Sequence, residues 1–253
     1  MQLGAIIGPG IDGSDPAALP DQARQFEAEG FDALWAVHTV GRGFMVADPL
    51  VTLAVAAVVT DHVELGTAIV QVPLSSPGML AHRTLSVAQL AGPRLTLGVG
   101  VGSTDKDFAV SGGAFAARFA AFDATIGDLR QTLATGATDR YDLAAWPSVV
   151  GRVPIVLGTW GAGVEVAARD YDGWIASNAY RTADEVVAAH ARFRAAGGER
   201  AIVSTIGVGA DTDLGELRDR LARFAATGFN QAVVLIRPDG PTPAVVLDLV
   251  PSP

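Results

Sequence analysis

Residues 95–101 read LTLGVGV, a short apolar run that is followed by a glycine and polar loop residues. Its apolar positions do not alternate with charged ones, which is typical of a strand buried on both faces of a parallel sheet. A helix-patterned, alanine-rich segment comes after it. The same order, an apolar run and then a helical segment, occurs eight times along the chain. The eight runs begin at Leu3, Asp32, Val63, Leu95, Pro154, Asp172, Ala201 and Gln231.

Eight consecutive units of strand and helix predict a (β/α)8 TIM barrel. Such a barrel takes about 250 residues, so we interpret the 253 residues as one compact α/β domain, residues 1–253, with short insertions. The predicted strands are 3–7, 32–37, 63–70, 95–101, 154–157, 172–177, 201–208 and 231–236. Residues 102–113 are predicted as a loop and residues 135–152 as a surface excursion.

Composition excludes several classes of partner and chemistry. The formal net charge of −9 disfavours a nucleic acid or an anionic membrane as partner. The chain has no cysteine, which excludes disulfides, thiolate nucleophiles and cysteine metal ligands. The longest apolar run, residues 50–59, is about half of what a membrane helix needs, and Met1 leads into the first strand without a leader pattern. We expect a soluble, cytoplasmic protein that acts on a small molecule.

The chemistry of such a barrel lies where its strands end. Among the four histidines, only His38 follows the end of a predicted strand, and its ordinary pKa suits proton transfer; a loop histidine without a catalytic role is the alternative. The strand ends carry no cluster of histidines and acids, so no metal site and no pair of glycosidase carboxylates is predicted. The remaining small and polar residues suit a flat, phosphate-bearing cofactor that supplies the difficult chemistry.

Two glycine-rich segments lie at predicted strand ends. In the first, residues 157–163 (LGTWGAG), a strand passes into a helix whose free N–H groups could bind an anion, with Thr159 as a further donor; an ordinary barrel turn is the alternative. In the second, Gly100, Gly102 and Ser103 leave room for a planar ligand. Trp35 and Trp174 are predicted core residues, whereas Trp160 could cover a ring or only pack.

Several ordered motifs resemble the luciferase-like monooxygenase superfamily. The resemblance covers most of the chain and is weakest after Ile202. The motifs are GFDALW (30–35) with His38 and DPL (48–50), VELGTA (63–68) with Pro73-Leu74 and Pro77, GPRLTLGVGVG (92–102), PIVLG (154–158) and DGWI (172–175).

The resemblance implies a barrel that uses FMN or the deazaflavin coenzyme F-420, commonly as a homodimer. It places the cofactor ring beside Thr67, Ala68 and Ile69, where the family often has a non-proline cis peptide, here expected at Ala68-Ile69. His38 corresponds to a family histidine that donates or accepts a proton. The phosphate end is expected near Gly158, Thr159, Trp160, Gly161, Gly163 and Ser177.

Two departures from the family pattern concern the site. His38 stands three places after Trp35, whereas the family histidine often stands four places after its tryptophan and follows an acid. A shift of one residue reverses the facing of a side chain within a strand, so the shift predicts a different direction for His38 unless the loop compensates. The short connection at 207–213 predicts a more open pocket, a pocket completed by a partner subunit, or a lost activity.

Four hypotheses remain at this point. The first is an oxidoreductase that transfers a hydride with coenzyme F-420 while His38 handles the proton. The second is an FMN-dependent monooxygenase or reductase. The third is a barrel that binds a flavin without catalysis. The fourth is an unrelated barrel enzyme that acts on a phosphorylated sugar through residues 158–163.

Overall fold

The computed structural model of the protein describes residues 1–8 and 15–250. Parallel strands form a closed barrel, because the third strand pairs with the fourth and the first pairs with the last. The predicted (β/α)8 fold is therefore confirmed. In chain order the barrel strands are β1 (Gln2–Ile6), β2 (Ala33–Ala36), β3 (Glu64–Thr67), β4 (Leu95–Gly100), β5 (Ile155–Gly158), β6 (Gly173–Ser177), β7 (Ala201–Val208) and β8 (Gln231–Ile236).

Helices surround the barrel. Asp48 accepts hydrogen bonds from the backbone N–H groups of Leu50 and Val51 (2.9 and 3.2 Å) and thereby caps the helix that begins at Pro49. Within the described residues, the structure has no helix long and apolar enough to cross a membrane. The helices are α1 (Leu19–Glu29), α2 (Pro49–Val59), α3 (Pro77–Ala91), α4 (Asp105–Ser111), α5 (Arg118–Thr135), α6 (Gly163–Asp170), α7 (Ala183–Ala195), α8 (Leu214–Thr227) and α9 (Pro243–Leu247). Residues 9–14 and 251–253 of the predicted domain lie outside the described residues.

Three local predictions need correction. Residues 102–113 do not form a plain loop, because α4 lies within them and is capped by Gly112, whose φ is +75°. Seven residues are too few for a clear helical period in the sequence. The excursion at 135–152 contains a small antiparallel hairpin of Ala137–Thr138 with Tyr141–Asp142. The third predicted strand is interrupted: β3 stops at Thr67 and resumes as Val70–Gln71.

Glycines make room for a large side chain inside the barrel. Trp35 is fully buried there, as the sequence predicts for a core residue. A Cβ on Gly66 of the neighbouring strand would lie 2.4 Å from the Trp35 ring, and one on Gly4 would lie 3.0 Å from it. Trp174, also buried, instead packs outside the strands against Phe193. Trp35 is thus the largest side chain of the buried layer inside the barrel, which it shares with Ile6, Ala33, Val156, Ile175, Ile202 and Val233.

A polar cluster closes the end of the barrel where the strands begin. Glu64 accepts a 2.5 Å hydrogen bond from the Thr96 hydroxyl and forms an ion pair with Arg200. The Gln231 amide donates to the second oxygen of Glu64 at 3.2 Å. These contacts pair the charges of Glu64 and Arg200, although Gln231 Oε1 has no hydrogen-bond partner among the described residues. Ligand sites of such barrels lie at the opposite end.

Between α7 and the chain leading into β8, His190 is buried against Phe193 and Phe229. Its Nε2 has no hydrogen-bond partner among the described residues. Burial, with a smaller effect from the nearby Arg194 charge, lowers the pKa of His190, although a hydrogen bond with the Gly228 backbone acts in the opposite direction. The fold therefore disfavours the protonated imidazole at this position.

His190→Leu is expected to flatten the pH dependence of the free energy of unfolding. Because the folded-state pKa is lowered, the unfolded chain binds more protons as the pH falls. The stability that depends on neutral His190 is present above the ordinary pKa of about 6.5 and is lost as the pH falls from there towards the lowered value. Urea unfolding across this range measures the slope. Exposed His82 on α3 offers the control His82→Leu, and equal slopes for the two variants would contradict the assignment.

Candidate active site

An open cavity of about 320 Å³ lies at the end of the barrel where the strands finish. Ligand sites of barrel enzymes occur at this end. The lining residues come from Ile6, the loop after β2, the interruption of β3, the loop after β4, and the ends of β5 to β8. They are Ile6, Val37, His38, Thr39, Arg42, Ala68, Ile69, Gln71, Gly102, Ser103, Gly158, Thr159, Trp160, Ile175, Ser177, Ala179, Tyr180, Ser204, Thr205 and Leu235.

The floor and one wall of the cavity are apolar. Ile6 and Ile175 belong to the buried layer above Trp35 and form the floor. The wall is the interruption of β3, where Ala68 and Ile69 are joined by a cis peptide bond, as the family resemblance implies. The side chains of Ala68 and Ile69 give this wall an apolar surface.

Glycines on β4 and β5 allow the interruption to lie close to the barrel. A Cβ on Gly98 would lie 1.9 Å from the Thr67 carbonyl oxygen. A Cβ on Gly158 would lie 2.6 Å from the Cγ2 atom of Ile69. Since both distances are far below normal contact, these positions require glycine for the wall to take this shape.

The opposite wall is polar. Ser204 and Thr205 of β7 line it, and their hydroxyl oxygens lie 3.3 Å apart. The pairing of β7 with β8 shifts register between Val203 and Ile206, and Thr205 has a φ of +61°. Such a bulge redirects side chains next to sites. Sequence reasoning missed both residues because the apolar run of β7 continues past them to Val208.

His38 lies at the edge of the cavity and faces it. Because β2 already ends at Ala36, the alternation of a strand does not apply to His38, and the loop compensates for the shifted position. The Nδ1 atom of His38 accepts a hydrogen bond from the backbone N–H of Gln71 (3.2 Å). Burial lowers the pKa of His38, and Arg83 and Arg42 act in the same direction against the opposing charges of Asp48 and Asp107.

An ion pair with a buried carboxylate contacts Gln71, the residue that donates to His38. Asp107 of α4 is fully buried, and its Oδ1 and Oδ2 atoms accept hydrogen bonds from Nε (2.9 Å) and Nη2 (2.5 Å) of Arg42. The Gln71 amide donates to Oδ2 at 2.8 Å. Burial alone would raise the pKa of Asp107, but the hydrogen bonds from Arg42 and Gln71 outweigh it and lower the pKa. The sequence offered no signal for this pair, since the two residues are 65 positions apart and α4 was not predicted.

The structure brings most of the predicted site residues together. His38, Ala68, Ile69, Gly102, Ser103, Gly158, Thr159, Trp160 and Ser177 all line the cavity. The other predicted residues lie outside the lining. Thr67 is buried and donates its hydroxyl to the Gly98 carbonyl (2.8 Å), and Gly100 is covered by Ile69.

The glycine-rich turn before α6 is anchored to its surroundings. The Thr159 carbonyl accepts a hydrogen bond from the Trp174 indole (2.9 Å), and the Gly161 carbonyl accepts one from Arg192 (3.2 Å). Gly161 and Gly163 lie beyond Trp160 and outside the cavity lining. A phosphate at this turn remains a prediction, with Thr159 and Trp160 as the residues that reach the cavity.

One group of possible metal ligands occurs among the described residues, namely Glu27, Asp61 and His62. The Glu27 carboxylate already accepts hydrogen bonds from the backbone N–H groups of Asp61, His62 and Val63. It therefore fixes the chain that leads into β3, and none of the three residues lines the cavity.

The fold and this cavity define a (β/α)8 barrel with one apolar and one polar wall at the usual ligand-binding end. A family model described as luciferase-like monooxygenase matches residues 1–234. The chain belongs to the luciferase-like monooxygenase family.

One sequence relative and several solved structures are similar to the chain. The relative, 4-hydroxyprotoasukamycin monooxygenase of Streptomyces nodosus subsp. asukaensis, is 39% identical over 80 residues. That match covers 31% of this chain and only 21% of the relative.

The solved structures share the barrel at low sequence identity. An F-420-dependent secondary alcohol dehydrogenase with an F-420–acetone adduct has a TM-score of 0.78 at 15% identity, covering 99% of this chain and 98% of that one. The oxygenating constituent of 3,6-diketocamphane monooxygenase from Pseudomonas putida, in complex with FMN, has a TM-score of 0.76 at 14% identity, with 100% and 99% covered. At these identities the likeness supports the fold alone.

Proposed function

We propose that the chain is an oxidoreductase that holds a flavin-type ring in the cavity and transfers a hydride with the deazaflavin coenzyme F-420. The observation that carries the proposal is that the apolar wall at Ala68 and Ile69 and the side chain of His38 line the same cavity. Family membership supports oxidoreductase chemistry in this cavity.

The residues present fit such a ring. A flavin or deazaflavin has flat faces and one edge rich in carbonyl and nitrogen atoms. The flat face matches the wall at Ala68 and Ile69, and the polar edge matches the hydroxyl groups of Ser177, Ser204 and Thr205. The bound ring would donate or accept a hydride, which no side chain can do. His38 would hold or move a proton at Nε2, beside the oxygen of the substrate.

The open cavity favours the deazaflavin over FMN. Tyr180 at the mouth is 93% exposed, and only residues 209–213 connect β7 to α8, so nothing in this connection covers the site. Hydride transfer tolerates such an opening, whereas oxygen-activating flavin chemistry gains from exclusion of water. An FMN-dependent monooxygenase is the second candidate, because the sequence relative is a monooxygenase.

Titration of the purified protein with coenzyme F-420 and, separately, with FMN tests the proposal. Trp160 lines the cavity, so we expect quenching of its fluorescence with micromolar affinity for the deazaflavin and weaker quenching by FMN. Trp160→Phe removes the signal from this indole and serves as the optical control. Preferential binding of FMN would support the second candidate, and binding of neither would overturn both.

Turnover separates an enzyme from a barrel that only binds a flavin. The absorbance of bound coenzyme F-420 reports its oxidation state while a panel of alcohols or carbonyl compounds is added. Hydride exchange between the coenzyme and one of these compounds would support an enzyme. Tight binding without any reduction or oxidation would support the non-catalytic alternative.

A homodimer is also part of the proposal. Large apolar side chains are exposed on the neighbouring helices α2 and α3: Val51 is 61% exposed, Val58 65% and Met79 60%. Such a surface commonly lies in a protein interface. Light scattering of wild type and of Val58→Glu would show a dimer that weakens in the variant.

A further inference from the structure

Gln71 contacts His38 through two separate donors. Its backbone N–H donates to Nδ1 of the imidazole (3.2 Å), and its side-chain Nε2 donates to the His38 carbonyl oxygen (2.9 Å). Gln71, at the end of the interrupted third strand, therefore fixes both the side chain and the main chain of His38.

The backbone contact determines where the imidazole carries its proton. A peptide N–H can only donate, so Nδ1 has to be the unprotonated, accepting nitrogen. The single proton of the neutral ring then lies on Nε2. Protonating Nδ1 would bring two N–H groups face to face, so the imidazolium form is disfavoured, in the same direction as the effect of burial.

The side-chain amide of Gln71 is fixed in orientation. Its two N–H bonds are directed to two oxygen atoms, the His38 carbonyl and the Asp107 Oδ2 atom (2.9 and 2.8 Å). A flipped amide would place Oε1 against both oxygens. Asp107 is in turn held by Arg42 and by the backbone N–H of Val40 (3.3 Å). A continuous chain of contacts thus runs from Arg42 through Asp107 and Gln71 to His38.

The other ring nitrogen remains available to a ligand. Among the described residues, no hydrogen bond involves Nε2 of His38, and the side chain lines the cavity. A neutral Nε2–H group is a donor and cannot accept a proton. It suits an oxygen that accepts a hydrogen bond, and it does not suit an alcohol that must give up its proton to the ring.

We propose that Gln71 and Asp107 are positioning residues that hold His38 as the neutral Nε2–H tautomer, and that the substrate presents an acceptor oxygen such as a carbonyl to this proton. The substrate class rests on the proposed function of the cavity. The tautomer does not, because it follows from protein contacts alone.

Long-range proton–nitrogen NMR of uniformly nitrogen-15-labelled protein tests the proposal without any cofactor. The four histidines give few signals, and His38→Gln identifies those of His38. Near pH 7.5, we expect wild type to show the pattern of a protonated Nε2 and an unprotonated Nδ1. In Gln71→Leu we expect a mixture of tautomers and titration of His38 at higher pH. In Asp107→Asn we expect a mixture of tautomers without that rise, because the Asp107 charge itself raises the pKa of His38.

His190 is an internal control, since it packs on α7 away from these contacts and its signals should not change. A protonated Nδ1 in wild type would overturn the proposal, and so would unchanged His38 signals in both variants. Circular dichroism identifies a variant that does not fold, and the other variant then decides. If the tautomer is as expected while neither FMN nor coenzyme F-420 binds, the positioning role stands and the proposed function fails.

Discussion

Gly98→Ala is expected to lower the free energy of unfolding by at least about 3 kcal/mol. Overpacking against main-chain atoms cannot be relieved by rotating a side chain, so its cost lies at the upper end of the range for overpacked cores. The new Cβ would lie 1.9 Å from the Thr67 carbonyl oxygen and 2.8 Å from Cδ1 of Ile175. The carbonyl is part of the main chain of β3, so it cannot rotate away as a side chain would. Urea unfolding measures the loss.

Gly127→Ala is the matched control for this change. Gly127 lies within α5, is exposed, and has nothing within 4 Å of a Cβ built on it. Alanine is favoured over glycine inside a helix by about 1 kcal/mol, so this variant should be more stable than wild type. Gly98→Ala with wild-type stability would mean that the interrupted strand does not press on β4.

Gly158→Ala is expected to weaken binding of the flavin-type cofactor at least about tenfold, which is about 1.4 kcal/mol. The new Cβ would lie 2.6 Å from Cγ2 of Ile69. The side chain of Ile69 must then move, and the adjacent free space is the cavity it lines. Fluorescence titration with coenzyme F-420 or FMN measures the loss.

Two further variants show whether Ile69 is responsible. Ile69→Ala removes the contacted methyl group, so adding it to Gly158→Ala should recover most of the lost affinity, a coupling that a double-mutant cycle quantifies. Gly207→Ala in β7 is the matched control, because that position is exposed and has open space around a Cβ. Equal affinity of Gly158→Ala and wild type would contradict this account of the wall.

The chain of contacts behind His38 shows why part of the site escaped sequence analysis. Each member is a common polar residue that the sequence alone would place on the solvent-exposed surface. Asp107 is 65 positions from Arg42 and 36 from Gln71, and its burial depends on a short helix without a clear period. Only the meeting of the loop after β2, the interrupted third strand and α4 at one end of the barrel makes these residues a unit.

The sequence by itself determined the barrel. Continuous apolar runs can only be buried on both faces of a parallel sheet, and they placed β7 and β8 at residues 201–208 and 231–236, where the structure has them. It also placed His38 and the Ala68-Ile69 segment at the end of the barrel where ligands bind. The tertiary structure alone decided which way His38 faces and which nitrogen accepts a hydrogen bond. Those properties depend on contacts between loops far apart in sequence, and local periodicity carries no information about such contacts.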